Sequence, residues 1–337
     1  MIVTKFYKGQ GLGNQLWVYS VLRSIAWRSG FDFGIESFRN YKLPNCLPIN
    51  PGKVVCAIPH ERPYGFRTIH TPRVVFENQT FVKSNGIAIS QWVSEIQRIK
   101  DRTKIEGYFQ SLEYISEFRN EFQNMFQVKS KENCDLLTCY ISVRGGDFRG
   151  NPEICCDANY YYHAISEMRL SGFNDFQIVT DDVEYAQQLL PGMKIASNSI
   201  QLDGSKNGKR FLERKVARDF AMLQRAKGII LSNSTFAWWA AWTNLSHPFV
   251  IAPRYWSHPR NEARLWAPRE IAVSDWEYSD GWRLISGFRA IKESSSQVIY
   301  GDVEMITIQS KCDFKNRIKS LIYQNFQRIT LKWKSIL

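Results

Sequence analysis

The sequence predicts an α/β protein built on parallel, doubly wound sheets, and three observations carry the prediction. Strand-like and helix-like segments alternate from Asp135 onward, and repeated β-α-β order implies parallel strands joined by right-handed crossovers. The N-terminus begins in the same way, with a strand, a glycine loop and a helix. A chain of 337 residues is longer than one core usually serves, so two domains are expected.

Taken in order, Ile2–Tyr7 reads as a strand and Gln15–Ser29 as a helix stopped at Gly30, because glycine readily takes the left-handed conformation that ends helices. Phe31–Ile35 is the next candidate strand. From Tyr41 to Thr80 the chain is rich in Pro, Gly and Asn with little periodicity, and reads as long loops over a cleft. Asn124–Asp135 marks the expected crossover between domains. Beyond it, Leu136–Val143 is apolar enough for a buried strand, and Tyr160–Leu170 has helical spacing. Phe176–Thr180 and Val183–Leu190 repeat strand and helix, with Met193–Ala196 as a short further strand. Glu213–Ala226 sets Val216, Phe220 and Leu223 on one face of a long helix. Gly228–Leu231, Thr235–Leu245 and Phe249–Ala252 follow as strand, helix and strand.

Composition narrows the class. Hydrophobic residues at 44% and aromatics at 14% can fill real cores, while 23% charged residues is ordinary for a soluble protein. No stretch is long and apolar enough to span a bilayer, and a strand starts almost at Met1, which leaves no room for a signal peptide. Seven cysteines without paired spacing argue against a disulfide framework or a structural zinc, and a reducing cytoplasm fits best. The sequons at Asn78, Asn233 and Asn244 then read as chance matches. Part of the formal charge of +12 is local, since Lys311–Leu337 carries seven basic residues against one acid, Asp313. Interleaved apolar residues make this tail a candidate amphipathic helix. It either docks on an anionic membrane surface or packs on the body with its basic face in water.

Chemistry concentrates at three strand-to-helix junctions: Gly9–Gln15 (GQGLGNQ), Ser142–Phe148 (SVRGGDF) and Ser232–Trp242 (SNSTFAWWAAW). Junctions of this kind present free backbone N–H groups and a positive dipole end, which suit phosphate. Ligands of an open parallel sheet bind at the carboxyl edges of its strands, and Arg144, Thr180, Asp181 and Ser232 all fall at such edges. Gly9, Gly11 and Gly13 resemble a dinucleotide fingerprint, but Asn14 stands where the third glycine is needed. The loop is either a close ligand approach, with Asn14 and Gln15 as amide donors, or a tight structural turn. Arg144 precedes Gly145 and Gly146, which leave it room, and its guanidinium matches phosphate oxygens bidentately. Asp147 orients that arginine, bonds a ligand, or merely pairs with Arg144 at the surface as a loop cap. Ser232, Asn233, Ser234 and Thr235 suit an N-cap and a phosphate site alike. Trp238, Trp239 and Trp242 read as core. Asp219 either accepts two N–H bonds from guanine or pairs with Arg218 or Arg225. No Asp-x-Asp occurs in the chain, so metal independence is expected, with arginine and helix dipole offsetting a leaving diphosphate.

Together these segments, with Ile105–Ser111 (IEGYFQS), Thr180–Asp182 and Asp219–Trp242, resemble the family 11 glycosyltransferases, the α-1,2-fucosyltransferases that use GDP-fucose. The resemblance runs from about Ile2 to Pro253. It implies a GT-B architecture, two Rossmann-like domains facing a cleft, with residues 1–130 as the acceptor-side domain and 131–290 as the GDP-fucose-binding domain. Residues 291–337 form a basic extension. It implies that Arg144 contacts the β-phosphate, that Asp219 reads guanine and that Ser234 and Thr235 add phosphate contacts. Asn14 would then lie across the cleft near fucose and acceptor. Arg144, Asp147 and Asn14 form the expected catalytic set; Gly11, Gly13, Thr180, Asp181, Asp219, Ser232, Ser234 and Thr235 form the expected donor site. Ser142, Gly145 and Phe148 depart from the family's usual H-x-R-R-G-D-Y. The implied reaction is inverting fucosyl transfer to the 2-hydroxyl of a galactose-terminated glycan. The composition places it in the cytoplasm, and peripheral membrane contact through 311–337 is one of the two readings of the tail. No metal or cofactor and no nucleic-acid partner are expected. Glu36 and Glu61 are the carboxylates available as a base in the first domain, but each reads as a loop carboxylate and no base is named. The competing readings are a non-catalytic basic glycan- or nucleic-acid-binding protein, a donor-binding protein that does not turn over, and a fucosyltransferase of different linkage.

Overall fold

Short strands of Val, Ile and Cys with buried residues on both faces need helices on both sides, and that is how the chain is arranged. The computed structural model describes residues 1–53, 67–70, 99, 101, 103–106, 109–129, 138–149, 154–196, 206–253, 256, 273 and 276–279. Among them, the first sheet holds β1 (Ile2–Lys5), β2 (Phe33–Glu36), β3 (Arg67–His70) and β4 (Thr103–Glu106) in the order β2-β1-β4-β3. All its pairings are parallel. The second sheet holds β5 (Thr138–Val143), β6 (Asp175–Thr180), β7 (Lys194–Ile195), β8 (Gly228–Ile230), β9 (Phe249–Pro253) and β10 (Glu277–Ser279). Its order is β10-β9-β8-β5-β6-β7, again wholly parallel. This is the doubly wound Rossmann order, and it places the topological switch point between β5 and β8, where ligands of such sheets sit.

The expected elements recur within a few residues of their anticipated limits. Helix α1 spans Leu12–Ser29 and ends at Gly30 with φ +67°, the left-handed stop that glycine permits. Helices α3 (Ala158–Leu170) and α4 (Val183–Leu189) are capped by Asp157 and Asp182, whose carboxylates accept from Tyr160 N and Tyr185 N. Helix α5 (Lys206–Arg225) begins earlier than its apolar face suggested, and α6 (Thr235–Trp242) is short and apolar on every side. Three expectations need correction. Strand β3 lies inside the segment read as loops, β10 was not anticipated, and the short helix α2 (Arg119–Met125) precedes the crossover. Helix α2 forms because Phe122 and Phe126 cover Trp27, Tyr19 and Trp239. Gln123 within it, and Gln127 and Val128 after it, bond to Trp242 O, Thr243 O and Gln224 Oε1, which stitches this segment to α5 and α6. The candidate tail helix at 311–337, Glu61 and Asn78 lie outside the described residues. No described helix is long and apolar enough to cross a membrane.

Of two buried clusters among the described residues, the larger draws on both sheets and contains the contact of α1 with α6. Trp17 of α1 lies with its ring centroid 4.6 Å from Trp238 and 4.9 Å from Trp239, while Trp242 stacks on Trp238 at 5.5 Å. The three tryptophans of α6 are therefore core, as their apolar setting indicated. Asn233 and Asn244 are buried, and Asn244 Nδ2 donates to the carbonyls of Leu223 and Ala226, so neither sequon offers a surface amide. The four described cysteines are free. At the carboxyl end of the first sheet Glu36, with a side chain 4 % exposed, lies between Lys5 at 3.1 Å and Lys104 at 2.9 Å. Burial alone would raise its pKa. The hydrogen bonds and charges of Lys104 and Lys5 outweigh burial and hold it below the ordinary value.

Helices α1 and α6 can touch at their first turns because residue 13 has no side chain. A Cβ there would lie 2.4 Å from Thr235 C and 2.5 Å from Phe236 N, both backbone atoms that cannot swing aside. A Cβ on Gly11 would meet nothing within 4 Å. Gly13→Ala should therefore destabilise the fold by about 1–3 kcal/mol in denaturant titrations, the usual cost of overpacking. Gly11→Ala, which loses a favourable N-cap residue but meets no clash, should cost about 1 kcal/mol or less. Equal stability of the two variants would refute the close contact.

Candidate functional site

The carboxyl ends of the two sheets face a cleft of about 1300 Å³ lined by both. One wall is the loop from β1 into α1, together with residues 39–44; the other is made by the loops after β5, β6 and β8. Arg144, Ser234 and Asn14 all line this one cavity, as do Gly11, Gly13, Asp147, Thr180, Asp181, Asp219 and Thr235.

Its floor is the meeting of two helix N-termini. Gly11 caps α1 in extended conformation and Ser234 caps α6 likewise; neither cap supplies a side-chain acceptor, and neither helix has an acid in its first turn. First-turn N–H groups lack partners within a helix, so two positive ends converge where an anion would satisfy them. Asn14 ties them together, since its Oδ1 accepts from Thr235 Oγ1 at 3.2 Å and from Gln110 Nε2 at 3.0 Å. Among the described residues no acceptor takes up Asn14 Nδ2, which leaves a donor on the cleft wall.

Arg144 leaves the end of β5 and is about one-third exposed. Its Nη1 donates to Asp181 Oδ2 and its Nη2 to Asp147 Oδ1, and the guanidinium lies over the Phe148 ring at 5.2 Å. Asp181 also accepts from Gly145 N at 2.9 Å, and Asp182 from Gly146 N at 3.3 Å. The two aspartates after β6 thus hold the loop after β5, and Asp147 pairs with the arginine. Asp181, expected to touch donor, acts here on Arg144 and on the loop backbone. Thr180 lies at the end of β6, where its hydroxyl accepts from Asp182 N at 3.0 Å.

Asp219 lines the cleft from α5, with its side chain 9 % exposed. It pairs with Lys215, one turn earlier, whose Nζ lies 3.0 Å from Asp219 Oδ2 and 3.2 Å from Thr180 O. Lys215 escaped the sequence reading because a lysine on a charged helix reads as a solvated face. The clue was its i, i+4 spacing to Asp219. Two expected contributors face elsewhere. Ser232 is buried and absent from the cleft wall, its hydroxyl 3.0 Å from Ser142 Oγ, so it locks the ends of β8 and β5 together. Gln15 is also fully buried, donating to Asn40 O and accepting from Lys42 N. Beside the cleft, Asn233 anchors the carbonyls of Ile154 and Trp256. Burial pushes the Cys156 thiol up to about 12, and Cys155 is raised by the same cause, so neither is a nucleophile near neutral pH.

A family model described as glycosyl transferase family 11 matches residues 101–280, more than half of the chain. An α-1,2-colitosyltransferase of Escherichia coli is 24% identical over 283 residues, which cover 73% of this chain and 89% of that protein. The O-antigen biosynthesis glycosyltransferase WbnK of Escherichia coli is 24% identical over 192 residues, 50% of this chain and 60% of that one. Among solved structures, NodZ α-1,6-fucosyltransferase soaked with GDP-fucose aligns with a TM-score of 0.38 and 16% identity, over 73% of this chain and 96% of that chain.

Gly145, which stands where the resemblance has a second arginine, has a local cause. A Cβ there would lie 2.5 Å from Asp182 Cβ and 3.0 Å from the Tyr185 ring. Gly145→Arg should therefore disturb the Asp182 cap of α4 and lower stability by about 1–3 kcal/mol, and should not strengthen binding of nucleoside diphosphates. An arginine variant as stable as the parent and tighter for GDP would contradict this.

Proposed function

This chain belongs to glycosyl transferase family 11 and is a glycosyltransferase; on that premise we propose that it transfers L-fucose from GDP-fucose, with inversion, to the 2-hydroxyl of a galactoside in a cell-surface or lipid-linked glycan. The observation that carries the proposal is the convergence of Arg144 and the uncapped N-termini of α1 and α6 on one cleft. A departing nucleoside diphosphate develops charge on its β-phosphate, and preorganised donors at that point lower the barrier most. Arg144 is pre-aimed by Asp181 while Asp147, the more exposed partner, is the one a phosphate oxygen would displace. The α6 N-terminus, with Ser234 and Thr235, receives the remaining phosphate oxygens. Asp219 and Lys215 present an acceptor and a donor one helical turn apart, which matches the N1–H and O6 of guanine. Asn14 Nδ2, on the cleft floor beside Thr235, reaches toward the sugar.

Metal independence is part of the proposal. The carboxylates of the cleft are already engaged, Asp147 and Asp181 by Arg144 and Asp219 by Lys215, and cationic side chains with helix ends supply the charge a metal would. No general base is assigned: Glu36 is committed to its two lysines. A second donor, GDP-colitose, is favoured by the α-1,2-colitosyltransferase relative, since colitose is the 3-deoxy counterpart of L-fucose.

Incubation with GDP-fucose or GDP-colitose and a panel of β-galactosides, with EDTA present, should give an α-1,2-linked product on linkage analysis. Arg144→Ala should lower kcat by roughly 10²–10³-fold, the effect of removing one transition-state donor, with an unchanged melting temperature. Near-normal turnover in that variant, or activity that requires a divalent cation, would overturn the mechanism.

A further inference from the structure

The two walls of the cleft differ in charge. On the wall built by the first sheet, the described lining residues include Lys5, Lys8, Arg39 and Lys42 and no Asp or Glu; on the opposite wall cations and carboxylates are mixed. Lys5 is committed to Glu36. Lys8, Arg39 and Lys42 are exposed, and among the described residues none of the three has a side-chain hydrogen bond or ion pair. Tyr7, 46 % exposed, lines the same wall with Lys5 Nζ 5.5 Å from its ring centre.

These cations sit on a rigid frame. Gln15 holds both Asn40 O and Lys42 N from beneath, Asn40 Nδ2 donates to Phe6 O, and Phe6, Phe38 and Tyr41 stack in one cluster. Beyond Lys42, Asn45 binds both carboxylate oxygens of Glu213 at 2.8 Å and fixes the loop against α5. With inward side chains locked in this way, Arg39 and Lys42 are presented toward the cleft by construction, and like charges left unneutralised at fixed positions favour an anionic partner.

Resting on the assignment of the cleft to glycosyl transfer, we propose that the acceptor is an anionic glycan, one carrying a carboxylate or a phosphate close to the sugar that is modified. A sugar ring stacks on Tyr7, and the anionic group is received by Lys8, Arg39 and Lys42. Those three residues then determine acceptor specificity, while the opposite wall handles the nucleotide.

The test compares three acceptors of equal length: a neutral galactoside, the same galactoside next to a hexuronate, and a galactosyl disaccharide bearing a diphosphate. At least one anionic acceptor should show a KM roughly tenfold below the neutral one, the equivalent of one charge-assisted hydrogen bond; which of the two does so identifies the source of the charge. The advantage should shrink as salt rises from about 0.05 to 0.5 M. Arg39→Gln with Lys42→Gln should raise KM for the preferred anionic acceptor about tenfold and for the neutral galactoside less than about twofold. Equal KM values for all three acceptors, or equal losses in the double variant, would overturn the inference, provided GDP-fucose is still hydrolysed. Failure to consume GDP-fucose or GDP-colitose with any acceptor or with water would instead defeat the assignment of glycosyl transfer, and this inference with it.

Discussion

The structure depends on one close contact, the meeting of the first turns of α1 and α6 at Gly13. Each helix follows a strand of a different sheet, so the contact fixes the two carboxyl edges relative to each other. Trp17, Trp238, Trp239 and Trp242 make the contact dry and large, and bury far more apolar area than a flexible hinge would. Asn14 and Thr235 close it with a hydrogen bond at the cleft floor. A consequence is that two positive helix ends are held together without a ligand, so their mutual repulsion is met by packing and needs no rearrangement when an anion enters. That is the sense in which this site is preorganised.

Around this floor the charges are arranged by pairing. Arg144 is oriented by Asp147 and Asp181, Lys215 by Asp219, and Lys5 and Lys104 by Glu36. In each pair the carboxylate sets the direction of the cation. On the wall built by the second sheet the Arg144 and Lys215 pairs line the cleft, while the wall built by the first sheet lacks such pairing at Lys8, Arg39 and Lys42 among the described residues. Under the function proposed above, the asymmetry matches a donor whose charge departs and an acceptor that must be recognised.

How much of this was visible beforehand varies by element. Strands β5 and β8 of the second sheet were legible because a parallel strand covered on both faces must be apolar throughout, as in Thr138–Val143 and Gly228–Ile230. The observed strand order sets the loops that follow them, which carry Arg144 and Ser234, at one switch point. Strand β3 was hidden because Arg67–His70 has no apolar run and its residues were read with the Pro- and Gly-rich segment around it. Side-chain direction was the other thing hidden. Ser232 and Ser234 are two residues apart, yet Ser232 turns inward to Ser142 while Ser234 caps α6 at the cleft. Gln15 likewise follows Asn14 but faces the core, since successive positions on a helix point about a quarter-turn apart. Local spacing names the junction, and only the folded loop decides which of its side chains reaches the ligand.

The central claim is that Arg144 and two helix N-termini form a single site for the terminal phosphate of a guanosine diphosphate. Calorimetric titration of GDP and GMP into the full chain, with EDTA present, tests it most directly. GDP should bind at least roughly tenfold more tightly than GMP, about one charge-assisted contact, and Arg144→Ala should erase the difference. Equal binding of GDP and GMP by the unaltered protein would contradict the account.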